Sequence, residues 1–182
     1  MNKSYQGKIL ISTPDISGDI FSRSVVLIIE HDENGAFGMI LNKKNDSMTM
    51  HLKDSLGYDV EIYEGGPVDP HRLFFIIKGN LITESYLRID EETYLTEDAE
   101  SVIAAFIEEE LQVHQIKVLA GYSGWSAKQL ETELKNNFWT PIEIYNLDYT
   151  APNDQTLWKT MMQNLGGQFL IWANSPEDVR LN

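Results

Sequence analysis

Short apolar runs dominate the first half of the chain, and turn signals rather than helical patterns separate them. The run "SVVLIIE" at 24–30 is apolar at almost every position, which is typical of a central strand with both faces buried. Similar or shorter runs predict further strands at 8–12, 36–42, 59–66, 71–79, 86–89, 93–96, 116–122 and 139–146.

Helical patterns become regular only beyond residue 96. Apolar residues at three- and four-residue spacing predict a helix over 97–111, and its first turn is acidic, as the helix dipole favours. Ser126 and Gln129 have the S-x-x-Q form of a capping box, which predicts a helix from 126 to about 137. Other helices are predicted near 50–56 and from Asn153 or Asp154 to a glycine cap, and the apolar run 168–172 completes the fold.

The order of these elements indicates the fold class. Several strands precede the first long helix, which argues against a regular alternation of strand and helix. The pattern therefore predicts one domain over 1–182, an α+β protein with a mixed, mostly antiparallel sheet.

A hairpin is predicted between the second and third apolar runs. Asn34-Gly35 is a strong hairpin signal, because a type I′ turn needs positive φ at both of its central residues. Pairing of 24–30 with 36–42 would place Glu30 and His31 at the end of a buried strand. Gly38 within the second strand indicates a bulge or the close approach of another backbone.

Several of these residues resemble a known family. F-x-R-S-V-V at 21–26, Glu30-His31, and the Gly35, Gly38 and Asn42 that follow are similar to the signature of the YqgE/AlgH family of bacterial proteins. The resemblance runs in order from about residue 7 to 172. Its further matches are Gly65-Gly66-Pro67, Gly121-Tyr122-Ser123-Gly124-Trp125, Gln129-Leu130-Glu131-x-Glu133 and Trp139.

The resemblance implies more about fold than about function. It implies a compact structure in which a bifurcated sheet forms a pseudo-barrel with helices packed outside. Members are often described as transcriptional regulators, and the resemblance implies no catalytic residue, cofactor or ligand. We therefore expect a bacterial regulator that acts through an unidentified protein partner rather than through catalysis.

Charge weakens the alternative of a direct DNA-binding regulator. The sequence has 28 acidic and 14 basic residues, a net charge of −14. This balance opposes contacts with phosphate, and no predicted helix carries a row of lysine or arginine. We expect no tight binding of nucleic acid.

Catalytic and metal-binding patterns are weak. The four histidines do not form H-x-x-x-H or H-E-x-x-H, and neither Ser24 nor Ser123, the possible triad partners of His31, lies in G-x-S-x-G. The segments 65–67 and 121–124 lack the form of phosphate loops, so we interpret them as turns. No metal and no cofactor are expected. A small-molecule-binding protein or hydrolase with a site near Arg23, His31 and Tyr122 is the remaining alternative.

Arg23 precedes an apolar strand, so its guanidinium should be partly buried and paired with a carboxylate. Glu131 and Glu133 are the predicted partners, because Glu30 would lie about 20 Å away at the other end of the strand. Alternatively, Arg23 binds a ligand. Tyr122 and Trp125 are predicted in a loop between a strand and a helix, where they pack on the core or line a groove.

The sequence contains no cysteine, which favours a reducing compartment. It shows neither a signal peptide nor an apolar stretch of membrane-spanning length. We therefore expect a cytoplasmic protein that makes no membrane contact.

Overall fold

A computed structural model describes residues 4–16, 18–57, 59–144 and 146–176. Within them the chain forms nine strands, five α-helices and one short 3-10 helix, Val113–Gln115. The strands are β1 (Ile9–Ser12), β2 (Val25–Asp32), β3 (Gly35–Ile40), β4 (Ile62–Glu64), β5 (Val68–Lys78), β6 (Leu87–Arg88), β7 (Thr93–Thr96), β8 (Ile116–Ser126) and β9 (Trp139–Ile142). The helices are α1 (Asp46–Leu56), α2 (Ala99–Ile107), α3 (Gln129–Lys135), α4 (Gln155–Leu165) and α5 (Phe169–Ala173).

All nine strands belong to one sheet, in the order β6-β7-β5-β8-β3-β2-β1-β9 with β4 beside β8. Every pairing is antiparallel except that of β4 with β8. The predicted α+β fold with a mixed, mostly antiparallel sheet is therefore confirmed. Because the order has two ends, β6 and β9, the sheet does not close into a barrel. None of the helices in the described residues is both long enough and apolar enough to cross a membrane.

The sheet divides in two at β8. One edge of β8 pairs with β5, whereas the other pairs first with β4 and then, towards its C-terminal end, with β3. The chain that continues beyond β3 returns to β4, since the Glu64 N–H donates to the Lys43 carbonyl at 2.8 Å. β4 thus separates β8 from the continuation of β3, which agrees with the predicted bifurcation.

The link Gly65-Gly66-Pro67 crosses a face of β8, because β4 and β5 lie on opposite edges of that strand. A Cβ atom on Gly65 would lie 2.3 Å from the Gly121 carbonyl oxygen, and one on Gly66 would lie 2.2 Å from the Tyr122 backbone. Gly121 also has a φ of 69°, which favours glycine. Backbone contact at this crossing therefore requires glycine in both motifs. The interpretation of 121–124 as a turn is wrong, because these residues lie inside β8.

In the part of the chain that the structure describes, three apolar cores lie on the faces of the divided sheet. The first packs one face of β1–β3 against α4 and α5, and includes Leu27 and Trp158. The second packs the half formed by β5, β7 and β8 against α1 and α2. The third lies on the opposite face of β1–β3 and includes Val26, Trp125 and Leu130 of α3. β2 contributes to the first and third cores in alternation, so it is buried on both faces as its apolar run predicts.

The predicted hairpin is confirmed, but its turn differs. Asp32 pairs with Gly35, so Glu33 and Asn34 form the turn, and Asn34 does not have the positive φ that a type I′ turn would need. The Asn34 N–H instead donates to the Asp32 carboxylate at 2.7 Å, a short-range contact that stabilises the turn. Gly35 is required for another reason. A Cβ there would lie 2.1 Å from the Trp125 carbonyl oxygen, and its φ is 143°.

Two predicted boundaries also shift. The helix predicted over 97–111 ends at Ile107, and the one predicted from 126 begins at Gln129 because β8 continues to Ser126. Tyr122 and Trp125 therefore belong to a strand rather than to the loop we expected. The predicted contact between Ser126 and Gln129 is nevertheless present, since the Ser126 N–H donates to Gln129 Oε1 at 2.9 Å.

Candidate functional site

A β-bulge in β2 determines where His31 points. Ile28 lies opposite Gly38, whereas Glu30 lies opposite Phe37, so Ile29 is an additional residue. Regular alternation after Ile28 would direct Glu30 towards the third core. With the bulge, His31 instead lies opposite Ala36, which packs against that core. Bulges commonly redirect side chains in this way, and this one turns the imidazole towards α3.

Both nitrogens of His31 face protein groups, and its side chain is only 4% exposed. Nδ1 accepts a hydrogen bond from the Tyr5 backbone N–H at 3.0 Å, so Nδ1 carries no proton. In the neutral ring the proton is therefore on Nε2, which lies 3.3 Å from Glu131 Oε1. This contact has the distance of an ion pair but lacks the alignment of a hydrogen bond.

This arrangement does not suit general-base catalysis. A catalytic histidine keeps one nitrogen free to accept a proton from a nucleophile or substrate. Nδ1 of His31 is occupied by the backbone, and Nε2 faces a carboxylate. The two candidate serines are buried and engaged elsewhere, since Ser24 donates to the Ile20 carbonyl at 2.8 Å and Ser123 to the Gly65 carbonyl at 3.0 Å. The considered Ser-His triads are not formed.

Glu133 holds the other side of α3 on the sheet. Its Oε2 accepts hydrogen bonds from the indole N–H groups of Trp125 and Trp139, both at 2.8 Å. Gln129 donates to Oε1 at 2.9 Å, and the two indole rings meet edge to face with their centroids 6.0 Å apart. The two C-terminal motifs therefore converge here, where Glu131 and Glu133 connect α3 to β2, β8 and β9.

A cavity of about 430 Å³ lies at this end of the hairpin. Glu30 and Asp32 give it negative charge, and hydrogen bonding from the Asn34 backbone lowers the pKa of Asp32. Within the described ranges, no group of three histidine or carboxylate side chains is placed to hold a metal ion. The cavity's other walls include Gln6, His31, Asn34, Phe37 and Trp125.

Arg23 lies at the opposite end of β2, so its predicted pairing with Glu131 or Glu133 is wrong. Its guanidinium stacks over Trp158, 5.1 Å from the ring centroid, and donates to the Ser175 carbonyl. Asn42 joins the ends of β2 and β3 nearby. Its side chain accepts from the Val25 N–H at 2.9 Å and donates to the Arg23 carbonyl at 3.0 Å.

The alternative site near Arg23, His31 and Tyr122 does not assemble. Arg23 precedes β2 and His31 lies near its other end, so eight residues at about 3.3 Å each separate them by more than 20 Å. Tyr122 packs its ring on Phe37 and Phe74 beside the first core, whereas His31 faces the third. The sheet therefore lies between the tyrosine and the histidine.

Lys117 is a buried basic residue that the sequence pattern did not predict as part of a site. It is 2% exposed, its Nζ donates to the Leu41 carbonyl at 2.9 Å, and it lies 4.2 Å from the centre of the Tyr63 ring. Burial lowers the pKa of Lys117 to about 7, although Asp148 and Glu61 oppose the shift. The signal in the sequence is a single lysine within the apolar run "IKVLA" of a central strand.

The chain is similar to proteins from several bacteria. A family model described as AlgH-like matches residues 9–170. A UPF0301 protein from Cytophaga hutchinsonii is 34% identical over 180 residues, which cover 97% of this chain and 98% of the relative. A UPF0301 protein from Parabacteroides distasonis is 36% identical over 180 residues, with coverage of 97% and 91%.

Two solved structures share the fold. The solution structure of the AlgH protein from Pseudomonas aeruginosa matches with a TM-score of 0.68 at 25% identity, and covers 97% of this chain and 99% of that chain. The crystal structure of protein DIP2367 from Corynebacterium diphtheriae matches with a TM-score of 0.74 at 20% identity, with coverage of 96% and 94%.

Proposed function

The chain belongs to the AlgH-like family, and on that premise we propose that it is a regulatory protein that acts by binding a protein partner, without catalysis. The observation that carries the proposal is an exposed apolar face on α2. Ile103 is 48% exposed and Ile107 is 68% exposed. They are four residues apart in one helix, so they lie on the same face.

Exposed isoleucines on one helix face indicate an interface. Single exposed apolar side chains are common, whereas contiguous ones form a patch of apolar surface in water. Burial of such a patch would contribute about 25 cal/mol per Å² to the free energy of binding. A partner that covers this face would gain that free energy. The exposed Ala104 lies between the two isoleucines and adds a small residue that allows close approach.

The motif residues support the non-catalytic part of the proposal. His31, Glu133 and Asn42 are engaged in contacts that hold α3 and the strand ends in place. These contacts support a structural role for the residues that resemble the family signature. The proposal places the function in the cytoplasm, which the cysteine-free sequence favours.

Partner capture with matched variants tests the proposal. The immobilised protein is incubated with lysate of the bacterium that encodes it, and the retained proteins are identified by mass spectrometry. Ile107→Glu should abolish retention of a specific partner. Ile171→Glu is the control, because Ile171 is 72% exposed on a different helix, α5. Retention that Ile107→Glu leaves unchanged, with both variants folded by circular dichroism, would contradict the proposal.

The proposal also gives a result for nucleic acid. With a net charge of −14, the protein should not shift random duplex DNA at sub-micromolar concentration in about 0.15 M salt. A gel shift under those conditions would favour the direct DNA-binding alternative instead.

A further inference from the structure

An apolar cavity of about 180 Å³ lies beneath the exposed face of α2. Leu52 of α1, Ile103 and Phe106 of α2, and Phe75 and Val118 of the sheet contribute to its walls, and every lining side chain among the described residues is apolar. Ile103 both lines the cavity and is half exposed, so the cavity reaches the surface there. Its volume is sufficient for one large apolar group, since dry cavities of about 150 Å³ bind benzene.

The α2 side of this opening is acidic. Glu100 lies one turn before Ile103, and Glu108, Glu109 and Glu110 follow directly after Ile107. The residues from 99 to 111 include no lysine or arginine. The C-terminal end of a helix carries partial negative charge, so glutamates there are unfavourably placed and a cation would be stabilising. Among the residues that the structure describes, none of these four carboxylates forms an ion pair.

These observations identify the chemistry of the partner. We propose that the α2 face, defined as Glu100, Ile103, Ile107 and Glu108–Glu110, binds a basic amphipathic helix of the partner protein. One large apolar side chain of that helix occupies the cavity, and its lysine or arginine side chains contact the glutamates. This inference rests on the proposed function and adds the kind of segment that is recognised.

Charge argues against two other occupants. A second copy of this chain would bring the same glutamates against one another, because a symmetric interface places the same patch on both subunits. A membrane with anionic headgroups would likewise be repelled by this surface. A basic helix is the occupant for which the apolar opening and the negative charge along α2 agree.

Synthetic peptides test the partner chemistry directly. The first probe is a fluorescent amphipathic peptide of about 18 residues, five helical turns, with Leu and Phe on one face and Lys and Arg on the other. The second keeps the apolar face and replaces the basic residues with Glu. The third keeps the basic face and replaces the apolar residues with Ser. Fluorescence anisotropy should show the first peptide binding at least about tenfold more tightly than either control, and more weakly as salt is added.

Variants of the protein locate the binding surface. Replacing Glu108, Glu109 and Glu110 together by Gln should weaken binding of the basic peptide about tenfold and flatten its salt dependence. The matched control replaces Glu33, Glu91 and Glu92 by Gln, three exposed acids that lie outside α2 and the residues that follow it. Ile107→Glu should also abolish peptide binding, whereas Ile171→Glu should leave it unchanged.

Several outcomes would overturn the inference. Equal binding of the basic and acidic peptides would do so, and so would basic-peptide binding that the three Gln substitutions leave unaltered. Binding of the protein to anionic lipid vesicles that depends on Ile107 would identify a membrane instead. If Ile107→Glu abolishes capture of the cellular partner while the basic peptide does not bind, the proposed function holds and the assigned partner chemistry is wrong.

Discussion

His31 Nε2 lies 3.3 Å from Glu131 Oε1 and joins the end of β2 to α3, while Nδ1 of the same ring accepts the Tyr5 N–H. The imidazole thus connects three separate parts of the chain. His31→Ala would leave the Tyr5 N–H without its partner and remove a nearly buried ring, so we expect the free energy of unfolding to fall by about 2–3 kcal/mol. Urea denaturation measures this free energy. The control is His71→Ala, at an exposed position of β5, which should change the free energy of unfolding by less than about 0.5 kcal/mol. Equal losses for the two variants would contradict the connecting role of His31.

Glu133 should contribute strongly to stability. Glu133→Ala removes the acceptor of two indole N–H groups and of Gln129, and leaves the two buried tryptophans without a hydrogen bond. We expect a loss of about 2–4 kcal/mol, because hydrogen bonds to a charged group contribute more than neutral ones. Lys135→Ala on the exposed face of the same helix is the control, and denaturant unfolding should show little change for it. A loss below about 1 kcal/mol for Glu133→Ala would show that packing alone fixes α3.

The close approach of β3 and β8 makes Gly35 intolerant of substitution. Gly35→Ala would place a Cβ atom 2.1 Å from the Trp125 carbonyl oxygen at a φ of 143°, so a loss of more than about 2 kcal/mol is expected. Gly124→Ala is the matched change in the facing strand. Its Cβ would come no closer than 3.4 Å to another side chain, and its effect on the melting temperature should be small. Similar melting temperatures for the two variants would contradict the contact.

The lowered pKa of Lys117 should make the protein more stable as pH rises above 7. Its pKa is about 7 in the folded protein and about 10.5 in the unfolded chain, so between these values the unfolded state binds more protons. The contribution of Lys117 to the free energy of unfolding therefore increases as pH rises from 7 to 10, with a slope of at most about 1.4 kcal/mol per pH unit. Lys117→Met removes this contribution. Urea unfolding at several pH values should give a shallower profile for the variant, and parallel profiles would contradict the lowered pKa.

The fold was predictable where a local pattern decides it. The apolar run of β2 indicates burial on both faces, and Asp154 and Gly166 mark the ends of α4. The turn residues Asn34-Gly35 predict the hairpin correctly, but they predict the wrong type of turn. Asp32 supplies a side-chain acceptor to the Asn34 N–H, which stabilises a turn without positive φ at Asn34.

The site was less predictable, because it depends on contacts between distant segments. The additional residue Ile29 has the same apolar character as its neighbours, so nothing in the pattern indicates that His31 turns towards α3. The glycines at 65, 66 and 121 were predicted as turn residues. That the link 65–67 crosses β8 at Gly121 depends on the order of β4, β8 and β5 in the sheet. Arg23 could not be assigned to Trp158 without knowing which end of β2 lies near α4.

Photo-crosslinking in living cells tests the central claim most directly. A photoreactive phenylalanine analogue is incorporated at position 107, and in a second strain at position 171, which is equally exposed on α5. Irradiation should give one dominant protein adduct from position 107 and none of the same mass from position 171. No adduct from position 107, or the same adducts from both positions, would contradict the claim that the α2 face binds a protein partner.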